Sequence, residues 1–259
     1  MTAGPMLLSR CLLALPLFLL AWSAIALVRQ DMAFGEIEAI AGRLERHEDV
    51  RTADLAAIAQ NGSVGAALAT CRSFELRAAV TAQLAILDQQ AAAATYEGLM
   101  QALGDGERFM HRAEACLPTD GNLWLRDAMI ARAQIEVPDE LSHIITLSAR
   151  LAPAEEATLL GRWAFWNSVQ PATLNAAGAS FAADLDALLT QGARPDLEAV
   201  ASAVPASQQA ALDRAIAALP APRRDFVEAV FKQARAQAKA KPPAGPVLNP
   251  FGTPAKAGR

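Results

Sequence analysis

The sequence has few of the residues that build β-sheets. It contains one tyrosine among 259 residues, aromatic residues make up 5%, and no long alternation of Val, Ile, Thr and Tyr occurs. Strands favour β-branched and aromatic residues at alternate positions, so a sheet protein is excluded. Alanine dominates the 53% of residues that are hydrophobic, and alanine and leucine favour helices. The sequence therefore predicts an all-α protein.

Motifs that carry catalysis or bind a cofactor are also absent from the sequence. His47, His111 and His143 are isolated, and none has another histidine, a cysteine or paired carboxylates at the usual metal-ligand spacing. No phosphate-binding glycine loop, zinc-protease motif or deaminase signature occurs, and Ser63 follows a turn sequence rather than forming a nucleophile elbow. We therefore expect no catalytic, cofactor-binding or metal-binding residue, and a non-enzymatic protein is favoured.

Two pairs of carboxylates have structural explanations. Glu155 and Glu156 follow Pro153 at the predicted start of a helix, where the helix dipole stabilises negative charge. Asp184 and Asp186 are two positions apart on a predicted helix and point to different faces. Neither pair is expected to act as a general acid and base.

A long hydrophobic run lies near the amino terminus. Residues 11–28, CLLALPLFLLAWSAIALV, carry no charge and follow the short flank 1–10. About 20 apolar residues span a bilayer as a helix, so the run predicts a transmembrane anchor. Its Ala24-Ile25-Ala26 also matches the cleavage pattern of a signal peptide, which would leave a soluble periplasmic protein. Retention is favoured because the apolar run continues beyond Ala26.

Both interpretations carry the rest of the chain across a membrane. The alanine-rich composition is typical of a high-GC bacterium, so we expect a single span in the bacterial inner membrane and a carboxyl-terminal domain in the periplasm. Residues 29–221 are expected to form an all-α domain and residues 222–241 a basic helix. The Pro/Gly-rich residues 242–259 are expected to be a disordered tail.

Cysteine usage fits an oxidising compartment. Of the three cysteines, two lie outside the hydrophobic run, Cys71 and Cys116, each at the end of a predicted helix. Helix ends of this kind meet when two helices pack as a hairpin, which predicts a disulfide between Cys71 and Cys116. Two unrelated buried thiols are the alternative.

An internal repeat occupies the middle of the chain. Pro118 and Pro153 are 35 residues apart, and each follows an amphipathic helix and precedes a helix with aromatic residues. Tetratricopeptide repeats have a period of 34 residues, and residues 75–170 resemble that family. Asp127, where a leucine is usual, and Gly106 depart from its pattern. The residues at the packing positions of the repeat are Met110, Ala113, Pro118, Trp124, Ala128 and Pro153.

This resemblance implies a short array of helical hairpins with flanking capping helices, an architecture that usually binds other proteins. The passage CLPTDGNLWL, residues 116–125, is also similar to small membrane-anchored envelope proteins of alphaproteobacteria that are associated with polysaccharide genes. That similarity implies an accessory role and supplies no catalytic residue. We therefore expect a non-catalytic periplasmic scaffold or adaptor in envelope or exopolysaccharide assembly, which acts through a protein partner. One alternative is a helical envelope hydrolase, and the other is a protein that binds an anionic polymer through its basic carboxyl-terminal segment.

One aromatic pair is a candidate groove. Trp163 and Trp166 lie three positions apart and therefore on the same side of a predicted helix. Such a pair can line a groove that accepts a peptide or a sugar, with packing in the hydrophobic core as the alternative.

The carboxyl-terminal segment is a candidate for binding anions. From Pro222 onward eight lysines and arginines stand against Asp225 and Glu228. A basic end of this kind favours anionic lipid or acidic polysaccharide, and nucleic acid is not expected as a partner in the periplasm. A solvated tail without a ligand is the alternative. The candidate anion-binding residues are Arg223, Arg224, Lys232, Arg235, Lys239 and Lys241.

Overall fold

The computed structural model describes residues 4–46, 48–202, 204 and 206–240, and these residues are helical with no strand among them. The all-α prediction is therefore confirmed, while the predicted tail, residues 242–259, lies outside the described residues. In this part of the chain the α-helices are α1 (Gly4–Glu45), α2 (Thr52–Asn61), α3 (Ser63–Thr70), α4 (Ser73–Ala93), α5 (Tyr96–Cys116), α6 (Gly121–Gln134), α7 (Pro138–Leu151), α8 (Glu156–Trp166), α9 (Pro171–Ala176), α10 (Gly178–Gln191), α11 (Arg194–Ser202), α12 (Gln209–Ala218) and α13 (Ala221–Ala240), with a 3₁₀ turn at Ala206–Gln208.

The described part of the chain divides into two compact units, with the boundary between Gln83 and Leu84. In the first unit, α1 and α2 both pack against α3. The second half of α1 buries Phe34, Ile37 and Ile40 at intervals of three residues. This spacing is the apolar stripe that a helix presents to a core.

The predicted anchor, residues 11–28, lies within α1, but the side chains of residues 11–17 fall outside the described part. The large apolar side chains described between Phe18 and Val28 are 52–67% exposed. Among the residues that the structure describes, no helix is long and apolar enough to cross a membrane. The transmembrane anchor therefore stays a prediction.

The second unit has a hydrophobic core to which α6 through α13 contribute. Trp163 and Trp166 of α8 are 3% and 0% exposed within this core. The ring of Phe181 stacks on the Trp163 ring at a centroid distance of 6.2 Å and meets the Trp166 ring edge-on at 6.0 Å. The groove interpretation is therefore corrected: both indoles pack in the core, which was the alternative.

Two turns of the second unit have the same backbone geometry at a separation of 35 residues. Leu117 ends α5 with φ −130° and ψ 64°, and Ala152 ends α7 with φ −133° and ψ 62°. Each donates its backbone N–H to the carbonyl oxygen four residues earlier at 2.9 Å. A proline directly follows each of these two cap residues, and the next helix begins four residues after the cap residue. The repeat seen in the sequence thus corresponds to a repeated turn.

Gly121 allows the first turn of α6 to approach the end of α7. A Cβ atom at this position would lie 2.5 Å from Ala152 Cβ and 2.9 Å from the Ser148 carbonyl oxygen, closer than real Cβ atoms come. Asp120 caps the same helix, since its side chain accepts a hydrogen bond from the Asn122 backbone N–H at 3.0 Å. The α6–α7 hairpin therefore depends on a residue without a side chain at position 121.

A buried ion pair connects α8 with α10. Arg162 and Asp184 are 0% and 2% exposed. The Arg162 Nε and Nη2 groups donate to the two carboxylate oxygens of Asp184, both at 2.8 Å. The Trp166 indole N–H donates to the same carboxylate at 2.8 Å. Asp184 is therefore a structural residue of the core, whereas Asp186 is exposed.

Cys71 and Cys116 are both disulfide-bonded, and the predicted pairing between them is confirmed. Cys71 follows α3 directly in a left-handed conformation, with φ 49°, and Cys116 is the last residue of α5. A disulfide of this kind is typical of proteins that fold in an oxidising compartment.

Alkylation of the unreduced, denatured protein should leave Cys71 and Cys116 unlabelled, because a disulfide sulfur does not react with an alkylating agent. Peptide mass spectrometry should identify a cross-linked pair before reduction and two labelled cysteines after it. Two labelled thiols before reduction would contradict the disulfide.

Candidate functional site

A cluster of three polar side chains lies between α5 and α6. His111 and Glu114 are three residues apart on α5 and therefore share a face of the helix, and Asp127 comes from α6. One ligand-type atom of each residue lies within 4.8 Å of the other two, and His111 Nε2 is 3.9 Å from Asp127 Oδ1. We refer to these three residues as the polar cluster.

Both carboxylates of the polar cluster are buried. Glu114 is 6% and Asp127 is 4% exposed, whereas the His111 side chain is 59% exposed. Among the described residues, the Glu114 Oε1 atom has no hydrogen-bond partner. Burial of a carboxylate oxygen without a partner is costly and rare in folded proteins. The Glu114 Oε1 atom is therefore a candidate ligand atom.

Burial raises the pKa of both carboxyl groups. The pKa of Glu114 rises from 4.5 to about 8, and the Asp127 carboxylate is the second cause of this rise. Burial also raises the pKa of Asp127 from 3.8 to about 6; His111 opposes that rise, while Glu107 and Glu140 add to it. Two carboxyl groups with raised pKa values beside a histidine can retain a proton, bind a cation or exchange a proton with a substrate.

The spacing of histidines alone does not reveal the polar cluster, because its second and third members are carboxylates. His111 is followed three residues later by Glu114, which is the reverse order of the Glu-x-x-His motif of carboxylate metal sites in helical bundles. Asp127 stood out in the sequence as a departure from the leucine of the repeat pattern. A charged residue at a packing position is a signal of a polar site, and here both signals belong to neighbouring helices.

The predicted repeat-packing residues differ in burial. Pro118 and Pro153 are exposed in their turns. Trp124 is half-buried against the core, and its indole N–H donates to the Pro118 carbonyl oxygen at 3.0 Å. The fully buried residues of the set are Met110, Ala113 and Ala128.

Arg223 is half-buried and makes hydrogen bonds within the protein. It donates from Nε to the Leu189 carbonyl oxygen at 2.6 Å and from Nη2 to the Gly192 carbonyl oxygen at 2.7 Å. Its guanidinium carbon also lies 5.2 Å from the centroid of the Phe226 ring, a cation–π contact. Part of the Arg223 guanidinium therefore satisfies backbone carbonyls at the end of α10, and its role in anion binding stays a prediction.

Other predicted basic residues line a groove between α12 and α13, of about 680 Å³. Carboxylates line the same groove, so the positive charge there is partly balanced. The side chain of Lys239 and all of Lys241 lie outside the described residues. The charged residues of the groove are Arg224, Lys232, Arg235, Asp213 and Glu228.

Comparisons of the chain with known protein families, with curated proteins and with solved structures found no match.

Proposed function

We propose that the protein is a non-catalytic scaffold of the bacterial envelope. Residues 11–28 anchor it in the inner membrane, and the helical domain lies in the periplasm, where it binds a protein of envelope or exopolysaccharide assembly. The observation that carries the proposal is the pair of turns with the same backbone geometry, at residues 117–120 and 152–155.

The equal turns support a tetratricopeptide-like array. Each turn leads from a helix with the same cap geometry into the next helix. The second helices of the two successive hairpins also begin alike, since Pro138 and Pro171 occupy the first turns of α7 and α9. Stacked hairpins present extended surfaces that bind other proteins.

The loop between α6 and α7 offers an apolar edge to a partner. Ile135 and Val137 are 69% and 37% exposed. Between them, the Glu136 carboxylate accepts hydrogen bonds from the Gln170 backbone N–H at 2.6 Å and from the Thr173 hydroxyl at 2.7 Å. The loop is thereby held in place, and a preformed apolar edge loses little conformational entropy when a protein binds it.

Removal of residues 1–28 should release the protein from the membrane. The full-length chain should stay in the membrane fraction after a carbonate wash, because 18 uncharged residues in the run 11–28 provide nearly the length that spans a bilayer. The control is the truncated chain exported by a cleavable signal, which should be soluble in the periplasm. A native chain that begins at Leu27 would show that the run is a signal peptide and would contradict the anchor.

Replacement of Ile135 and Val137 by serine should abolish recovery of the protein partner. The partner is first identified by mass spectrometry after crosslinking of intact cells that express the full-length chain at its native level. Both side chains are exposed, so the double variant should change the free energy of unfolding by less than about 0.5 kcal/mol. His143→Ser, an exposed change on α7, is the matched control and should retain the partner. Equal recovery with the double variant, or no reproducible envelope protein at all, would contradict the proposal.

The hydrolase alternative has one observation in its favour. Glu114 and Asp127 have raised and unequal pKa values, as the two carboxyl groups of acid–base pairs do. Neither residue lines the groove between α12 and α13 or the smaller one beside Gln90 and Asp105. Those two grooves therefore provide no substrate site for the pair.

A further inference from the structure

We propose that His111, Glu114 and Asp127 bind one divalent transition-metal ion, with Zn²⁺ as the best fit, between α5 and α6. The ion would act as a structural link between the two helices. This inference does not depend on the scaffold function, since it rests on the polar cluster alone.

The three side chains converge closely enough to share an ion. Their ligand atoms lie within 4.8 Å of one another. Ligands of a tetrahedral zinc site stand about 2.1 Å from the metal, and so about 3.4 Å from each other. The 3.9 Å between His111 Nε2 and Asp127 Oδ1 is near this value. The His111 side chain is 59% exposed and can make the remaining movement without disturbing the core.

The unpartnered oxygen of Glu114 points to a ligand. Glu114 is 6% exposed, and its Oε1 atom has no partner among the described residues. Asp127, 4% exposed, lies close by and repels it. A second pair of carboxylates, Glu107 and Glu140, adds negative potential at Asp127. A dication would coordinate the free oxygen and offset the negative potential around Asp127.

The donor set selects the class of ion. Imidazole nitrogen suits Zn²⁺ and its neighbours, whereas Ca²⁺ and Mg²⁺ prefer oxygen ligands in sites of six or more. One imidazole and two carboxylates provide three protein ligands, which leaves a fourth position for water. Because the His111 side chain is exposed, this fourth coordination position would face the solvent.

The bound ion would stabilise the junction of the two hairpins. His111 and Glu114 lie in the last two turns of α5, and Asp127 lies in the second turn of α6. The connecting turn, residues 117–120, is the first of the two repeated turns. A metal at this place would fix the angle between α5 and α6, because ligands from both helices would share one ion.

The test is Zn²⁺ titration of the tag-free, full-length protein in detergent, after EDTA treatment and desalting without thiol reductant. Isothermal titration calorimetry should give one Zn²⁺ per chain, and Zn²⁺ should raise the unfolding temperature. Co²⁺ should bind with the visible absorption of a four-coordinate site. His111→Gln, Glu114→Gln and Asp127→Asn should each weaken Zn²⁺ binding at least about tenfold.

His143→Gln is the matched control, because His143 is also an exposed helical histidine but lies outside the polar cluster; it should bind Zn²⁺ as the native protein does. Far-UV circular dichroism checks that every variant is folded, and Glu114→Gln keeps the shape of the side chain. The proposal is overturned if no stoichiometric Zn²⁺ binds, or if binding survives both His111→Gln and Glu114→Gln. It is also overturned if Ca²⁺ or Mg²⁺ binds as tightly as Zn²⁺, since the carboxylates alone would then hold the ion.

Discussion

Replacement of Asp184 by alanine is expected to lower the free energy of unfolding by about 3–5 kcal/mol. The change leaves the Arg162 guanidinium, which is 0% exposed, without its counter-charge inside the core. It also removes the acceptor of the Trp166 indole N–H. A buried charge that loses its partner cannot recover its hydration, and this loss makes the effect larger than that of an ordinary truncation.

The rest of the Arg162 environment remains after the change and does not compensate. Its Nη1 group donates to the carbonyl oxygens of Ala152 at 3.0 Å and Ser148 at 3.3 Å. Both carbonyls lie at the end of α7, where helix carbonyls lack some of their intrahelical donors; the Ser148 carbonyl oxygen also accepts the Ala152 backbone N–H at 2.9 Å. Arg162 thus has two roles, since it neutralises Asp184 and satisfies the end of a helix. The second role holds the cation in the core even when the carboxylate is gone.

Urea unfolding followed by tryptophan fluorescence measures the effect. Asp186→Ala is the matched control, because Asp186 is exposed on the same helix. This substitution should alter the free energy of unfolding by no more than about 0.5 kcal/mol. The double variant Arg162→Met with Asp184→Leu should recover much of the loss, because apolar side chains of similar size often replace a buried ion pair well. If Asp184→Ala and Asp186→Ala have equal unfolding midpoints, the pair is open to water and the structural role assigned to it is wrong.

Features of the fold that depend on local sequence could be predicted. The alanine-rich composition predicted the helices. Pro118 and Pro153 indicated two turns, and these turns have the same backbone geometry. The positions of Cys71 and Cys116 at helix ends indicated their disulfide. Each of these follows from residues close together in the chain, or from a small number of residues of one type that can pair.

Contacts between distant charges could not be predicted in this way. Arg162 and Asp184 are 22 residues apart, and each looks like a surface charge in its own segment. A better signal lies in the repeat itself. Arg162 follows Asp127 by 35 residues, the separation of the two turns. The position where a tetratricopeptide pattern has leucine therefore carries a buried charge in both copies. A polar departure at a packing position predicts a buried polar contact, although it does not identify the partner.

The polar cluster illustrates the same limit. Spacing along α5 gave His111 and Glu114 a common face, but the third member, Asp127, reaches them only through the packing of α6 against α5. The burial that raises the pKa of Glu114 and leaves its oxygen unpaired is likewise a property of the packed hairpin. This burial cannot be predicted from the composition of the sequence or from its hydrophobic periodicity.

The metal-free protein should become less stable as the pH rises from about 5 to about 8. Glu114 has a pKa of about 8 in the folded protein and an ordinary value of 4.5. Between these values the folded chain retains a proton that the unfolded chain has released, so the unfolded state binds fewer protons and stability falls with pH. Asp127 acts in the same direction between 3.8 and about 6. Each carboxyl group whose pKa is higher in the folded than in the unfolded protein lowers the free energy of unfolding by up to about 1.4 kcal/mol per pH unit. We therefore expect the free energy of unfolding to fall by a few kcal/mol in total.

Glu114→Gln isolates the contribution of that carboxyl group. The amide keeps the shape of the side chain but cannot ionise, so at pH 8 and in the presence of EDTA the variant should be more stable than the native protein. Its unfolding midpoint should also change less between pH 5 and pH 8. Glu97→Gln, an exposed change on the same helix, should leave the pH dependence as it is. Urea unfolding at unit steps of pH measures all three proteins. A native midpoint that does not fall with pH, or a variant that follows the native curve, would show that the Glu114 carboxylate is solvated or paired in solution, and the burial assigned to it would be wrong.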